Sequence, residues 1–515
     1  MNPSSRFNKF RSFRLALESL LILFLCACAQ SPNAPNPLGP SIGKLDPLGS
    51  AAEWRALNRL SYGPTQFLVR DIQSNGHPQA WALAQLKAAR EASQKPPNLP
   101  SDLTSINDSL PTIFDGARRE REARAAVPAG TQINEALANE KRFNFQEQPE
   151  ALHFNRTQVN KAIAWRLASC SNDEIEQPLL ARMTEFWFNH FNVYQQKGPV
   201  RPFVGHYAIS VARKHALGKF EDLVLASARH PAMLYYLDQW LSVSPQAARS
   251  GQNNRGLNEN YARELMELHT LGVHGGYTQN DVKELARVLT GWTIDPKSSN
   301  GFQFVTRLHD AGHKSVMGKT YPRSPISEGE AEGINAIRFL ANHPSTAHRV
   351  SQRLAEYFVA DNPSEVLVER MAKTFLTTGG DITEVMKVLL TSEDFWNPDN
   401  KLYKTPFEYV CTTLRVLNAG QDRAKWIQAV GYTAAAGQGI QNWVTPDGYA
   451  FNASTWLTPE ALTRRIDFAL TTARNVPDRT DLHPFLSDAT QKTVMKQAPN
   501  LRLGFVLGSS ELVFK

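Results

Sequence analysis

The sequence is poor in the features that announce a function. Four cysteines occur in 515 residues, none in a CxxC pair, which argues against a cysteine-based metal centre and against a disulfide-built framework. Cys170 and Cys411 are the two outside the N-terminal leader, and they read equally as a disulfide or as two buried thiols. There is no nucleophile elbow of the GxSxG kind, no P-loop, no HExxH and no dinucleotide fingerprint. Charge of one sign is also scarce. The net +7 includes the excess of Arg6, Lys9, Arg11 and Arg14 over Glu18 in the leader, and the remainder is dispersed, so nucleic acid is not an expected partner. Beyond residue 30 no apolar run is long enough to span a bilayer.

The one long apolar run is at the start. A basic stretch leads into Leu15 to Ala29, which has the proportions of an export signal rather than of a membrane span. Leu25-Cys26-Ala27-Cys28 is similar to the lipobox of bacterial lipoproteins, with Cys28 as the lipidated residue. Ordinary cleavage among the small residues Ala27-Cys28-Ala29 is the competing reading. Residues 29–50, with Pro32, Pro35, Pro37 and Pro40, then read as an extended tether. The expected layout is a leader over 1–28, the tether over 29–50 and one helical domain over 51–515. The expected location is the cell envelope, facing the periplasm or on the outer membrane.

From residue 51 onward, apolar residues recur at spacings of three and four, which predicts a mainly α fold built of helical hairpins. A weak internal repeat runs through it. Glu185-Phe186-Trp187-Phe188 matches Glu356-Tyr357-Phe358-Val359, and Gly218 to Leu223 matches Gly380 to Val385. One stretch breaks the helical pattern: Phe302 to Val305 alternates, and one short β-hairpin or loop is expected near 301–321.

The densest ionisable stretch is Asn258 to Val273. At about 100° per residue, Tyr261, Leu265 and Leu268 form a core stripe. Asn260, Arg263, Glu264 and Glu267 share another arc, from which His269 points away. Gly272 suits a left-handed helix end, and Thr278 with Asp281 suits a capping box that opens a second helix ending at Gly291. The polar arc reads either as an Arg–Glu network pinning two helices or as a site, with Glu264 and Glu267 sharing a proton or a metal and Arg263 holding an anion. The imidazole missing from the arc is sought in the loop carrying His309, Asp310, His313 and Lys314, whose alternative reading is a turn stabilised by Asp310. His190 and Asp238 are secondary candidates; the plainer reading of His190, set among aromatic residues, is a hydrogen-bonded core residue.

Trp187-Phe188-Asn189-His190-Phe191, His230-Pro231-Ala232-Met233-Leu234, Asn258 to Val273, Tyr277-Thr278-Gln279, Leu289-Thr290-Gly291-Trp292, His309 to Lys314 and Thr445-Pro446-Asp447-Gly448-Tyr449 together resemble the signature of the bacterial DUF1800 family, over nearly all of the chain after residue 51. The resemblance matches Asn258, Glu259, Asn260, Arg263, Glu264, Glu267, His269, Gly272, Asp281, Gly291, Trp292, His309, Asp310, Gly312 and Lys314, but not His313. It implies an exported protein without an assigned reaction, whose relatives are often encoded beside DUF1501 proteins similar to sulfatase-like hydrolases. The resemblance supplies no reaction; the residues themselves give the first expectation, a hydrolase assisted by a divalent metal held by Glu264, Glu267, His309 and Asp310, with Lys314 and Arg263 as further catalytic groups. The alternative is a non-catalytic helical scaffold or binding protein working with a DUF1501-like partner.

Overall fold

The computed structural model describes residues 51–128, 142–145, 150–250, 256–322 and 328–515. The leader, Cys28 and the tether lie outside the described residues. The described chain is mainly α, as the periodicity requires, and it forms two compact units.

The first unit takes residues 51–84, Trp396–Gly439 and Phe451–Lys515. Its core holds three fully buried arginines, Arg59, Arg415 and Arg465. The Arg465 guanidinium lies over the Tyr403 and Tyr409 rings, 4.3 and 4.5 Å from their centroids, and donates to Lys404 O at 2.7 Å. Stacking and a hydrogen bond together offset the cost of taking that charge out of water. Cys411, on the helix Pro406–Val416, is buried and disulfide-bonded.

The second unit, Gln85–Phe395 with Ile440–Ala450, carries the sequence motifs. In chain order its main helices are α1 (Leu110–Ala125), α2 (Glu150–Ser171), α3 (Pro178–His190), α4 (Phe220–Arg229), α5 (Glu259–Glu264), α6 (Gln279–Val288), α7 (Gly329–Ala341), α8 (Pro344–Phe358), α9 (Glu365–Thr377) and α10 (Ile382–Leu390). Cys170 on α2 is buried and disulfide-bonded. Helix α5 continues as a π-helical turn over Leu265–His269, closed by Gly272 at φ +88°. The wider turn changes the angular step per residue, yet Leu265 and His269 still enter the core while Glu264 and Glu267 remain half-buried.

The internal repeat has a physical meaning. Phe220 N donates to Gly380 O at 2.9 Å, and Ile382 N donates to Gly218 O at 3.0 Å, so the two Gly-initiated helix starts pair with each other reciprocally. The aromatic halves also meet, with the Phe186 and Tyr357 rings 5.3 Å apart. Equivalent segments face one another inside this unit.

Two small antiparallel sheets occur where one hairpin was expected. β1 (Trp292–Ile294) pairs with β2 (Phe302–Phe304), and β3 (Lys314–Val316) pairs with β4 (Lys319–Tyr321). The second closes through Met317 and Gly318, both at positive φ, the two-residue turn that matches strand twist. Phe302–Phe304 pairs backwards to the strand after Gly291 rather than forwards, which leaves His309 and Asp310 in the connection between the sheets.

Candidate functional site

Asn258 opens α5 by accepting from Asn260 N at 2.9 Å, while its amide donates to Leu237 O at 2.7 Å. The helix buries Tyr261, Ala262, Leu265 and Met266 and turns Glu264 and Glu267 toward a polar cluster. Burial lifts the Glu264 carboxyl above the ordinary range, Glu267 and Asp447 lift it further, and Arg263 opposes them. Glu267 accepts from the Tyr277 hydroxyl at 3.1 Å; burial and then Glu267 push that phenol up to about 12.

Helix α8 supplies the positive charge. The Arg349 guanidinium donates twice to Leu268 O, at 3.2 and 3.1 Å, and Arg353 stands 3.8 Å from Glu356. Burial lowers both guanidinium pKa values, and Arg353 depresses Arg349 further; Glu356 and Glu267 offset part of the effect at Arg349, and Glu356 and Asp447 offset part of it at Arg353. Arg263 leans outward to Gln279, 2.7 Å away, and to Glu259.

The loop 440–450 closes the cluster. Asn192 donates to Thr445 O at 2.8 Å and to Trp443 O at 3.1 Å, and Asn189 pairs with Tyr449 through both its amide atoms at 2.9 and 2.8 Å. Trp443 and Thr445 fix the exposed Asp447 carboxylate, at 2.9 and 2.6 Å. Tyr236 donates to Val444 O at 2.7 Å and lies in the field of Glu264 and Asp447. Gly448 makes the approach possible. It has φ +73°, and an added Cβ would sit 2.2 Å from Asn189 O. Gly448→Ala is expected to destabilise the protein by about 1–3 kcal/mol, combining backbone strain with the clash. Equilibrium unfolding against wild type checks it, and an unchanged midpoint would refute this packing.

His309, Asp310 and Lys314 form a different cluster. His309 Nδ1 lies 2.9 Å from Thr290 O, and its Nε2 lies 3.0 Å from Glu332 Oε2, which also accepts from Lys314 Nζ at 2.8 Å. All of these side chains are buried. Asp310 takes both its oxygens to Arg287, at 2.9 and 3.2 Å. Burial would raise the Asp310 carboxyl, but Arg287 and the Gly312 N–H outweigh it and hold the group below the usual range. The two clusters engage α6 at opposite ends, Arg263 at Gln279 and Asp310 at Arg287, roughly 12 Å apart along the axis.

The sequence-based site is thereby divided. Glu264, Glu267 and Arg263 belong to the first cluster. His309, Asp310 and Lys314 are joined instead to Glu332 and Arg287. A divalent metal does not fit this arrangement. His309 and Asp310 have their ligating atoms engaged within the protein, and among the described residues no group of three or more His, Cys, Asp or Glu is placed to hold a cation. His190 and His269 are buried, and burial drives His190 well below its ordinary pKa and His269 to about 3, so both stay neutral. Asp238 makes a part-exposed ion pair with Lys197 at 2.6 Å. Arg349, Arg353 and Asp447 were not selected from the sequence. The first two follow an ordinary helical spacing of four, and only the fold shows that they face the carboxylates.

A family model described as "Protein of unknown function (DUF1800)" matches residues 55–507. No curated protein and no solved structure matches the chain.

Proposed function

Because the chain belongs to the DUF1800 family, a family of unknown function, its chemistry has to be argued from its own side chains, and we propose that it is an envelope hydrolase that works by acid–base catalysis at Glu264. The observation that carries this reading is the raised Glu264 carboxyl, half-buried beside Glu267 and Asp447, with Arg349 in the field of Glu267 and Arg353 in that of Asp447. A carboxyl that keeps its proton to higher pH can donate it to a leaving group. A neighbouring carboxylate, Glu267 or Asp447, would accept the proton of the attacking water. Arg349 and Arg353 would hold negative charge that develops on the substrate. Among the described residues no metal-ligating group of three is placed here, and no step needs one.

The test uses Glu264→Gln, which keeps the shape of the side chain and removes its titration. Wild type and variant are incubated with peptidoglycan, lipid and polysaccharide fractions of the cell envelope, and released products are followed by mass spectrometry. A loss of at least about 100-fold in the variant, with an unchanged melting temperature, is expected for a general acid. Equal product from both, or none from wild type, overturns the reading. In that event the buried ion networks around Glu332 and Glu185 favour the second reading, a rigid helical scaffold for a DUF1501-like partner, which co-purification from the native host would test.

Export and anchoring through Cys28 belong to the same proposal. Disulfide-bonded Cys170 and Cys411 suit an oxidising compartment, and the leader has the form of an export signal. Cys28→Ser is expected to release the protein from the membrane fraction, because acyl chains anchor through buried methylene groups. Unchanged fractionation would remove the anchor.

A further inference from the structure

Remote from the Glu264 cluster in sequence, α1 and its neighbours line an open cavity of about 910 Å³, within the upper range for small-molecule sites. Its wall carries three aromatic rings and four prolines. Phe114 and Phe203 lie 4.6 Å apart between centroids, and Tyr235 continues the series, 6.0 Å from Phe203 and close to parallel with it. Such rings offer a large apolar contact area at little entropic cost.

The charges that line it are unbalanced. Arg118, Arg121, Arg124 and Lys297 line the cavity against Asp115 and Glu120. Both carboxylates are already engaged, Asp115 by Arg118 and Glu120 by Arg124 at 2.7 Å. Arg121 and Lys297 are exposed and make no ion pair among the described residues. Arg121 also acts on the Tyr235 hydroxyl, partly opposing the rise that burial causes, so its charge is felt at the aromatic wall.

We propose that this cavity binds an amphiphilic anion. Its apolar ring or chain would lie on Phe114, Phe203 and Tyr235, and its carboxylate or sulfonate would meet Arg121 and Lys297. The ligand is selected by the pairing of an apolar wall with surplus positive charge in the lining. The inference is independent of the hydrolytic reading, since no residue is shared with the Glu264 cluster.

Two probes with similar aromatic bodies separate the contributions. Anilinonaphthalene sulfonate carries the anion, and N-phenyl-1-naphthylamine lacks it. The full mature chain is titrated with each by fluorescence at low ionic strength. Saturable one-to-one binding of both is expected. The double variant Arg121→Ala/Lys297→Ala should weaken the sulfonate by about tenfold or more and leave the neutral probe within about twofold, since a tenfold change needs only one lost charge-assisted contact. Tyr235→Ala should weaken both probes. The exposed double variant keeps the test valid if Tyr235→Ala does not fold. Absence of saturable sulfonate binding to wild type, or equal sulfonate affinity in the double variant, overturns the proposal.

Discussion

Lowering the pH from 7 to 5 is expected to take most of the stability from the second unit. Five of its histidines, His190, His206, His215, His230 and His269, are held below their ordinary pKa, in every case chiefly by burial. His206 and His215 fall to about 4 and His269 to about 3. Arg349 and Arg353 add to the depression at His190, Arg349 adds to it at His269, and Lys214 and Arg90 outweigh Asp222 at His215. His206 Nδ1 and His230 Nε2 stand 2.9 Å apart, and His230 Nδ1 accepts from Ala232 N, so the shared contact has room for one proton.

The direction follows from linkage. As pH falls below about 6.5 the unfolded chain takes up protons that the folded chain refuses, so stability is complete above that value and drains away toward pH 4 and below. Each histidine contributes about 2 kcal/mol of loss between pH 7 and 5, and all five together reach the size of a whole folding free energy. Glu264 acts in the opposite sense, because its raised folded pKa binds a proton before the unfolded chain does. It offsets a minor part. Thermal melts at pH 7.5, 6 and 5 check the expectation, with a fall of roughly 10 °C or more across the series. His269→Phe should make the pH dependence shallower by about one proton. A flat melting temperature down to pH 5 would show that these rings are not buried neutral.

Much of the scaffold was legible because it depends on local chemistry. The Thr278–Asp281 capping box, the left-handed Gly272 and the helix stop at Gly291 all stand where residue type and spacing require. The separation of His269 from Glu264 and Glu267 was legible too, because helical geometry alone separates them. What escaped depends on long-range pairing. Asp447 reaches the Glu264 cluster only because Asn189 and Asn192 hold its loop from more than 250 positions away. Glu332 carries no periodic signal of its own, yet it takes both His309 and Lys314. A histidine and an aspartate in one loop suggested ligands, whereas their partners turned out to be a carboxylate and an arginine already inside the protein.

The strongest single-residue effect is therefore expected at Glu332. Lys314 is 1% exposed and has this carboxylate at 2.8 Å, along with Asp310 O as a further acceptor. Glu332→Ala leaves the ammonium buried without the carboxylate that bonds it directly and also removes the acceptor from His309 Nε2. Breaking a buried pair from one side costs about 3–5 kcal/mol, mostly as the desolvation of the group left behind. Lys314→Met should cost a similar amount by stranding Glu332. Combining the two removes both charges, so Glu332→Ala/Lys314→Met is expected to cost clearly less than the sum of the single changes. Arg263→Ala serves as the comparison. Its part-exposed contacts with Gln279 and Glu259 predict a change within about 0.5 kcal/mol. Denaturant unfolding of the four variants decides between two roles for the loop. Large, strongly coupled losses make His309, Asp310 and Lys314 the staple that fixes the sheets to α6 and α7. Small or additive losses would release them for chemistry, and the division of the site into two clusters would then have to be abandoned.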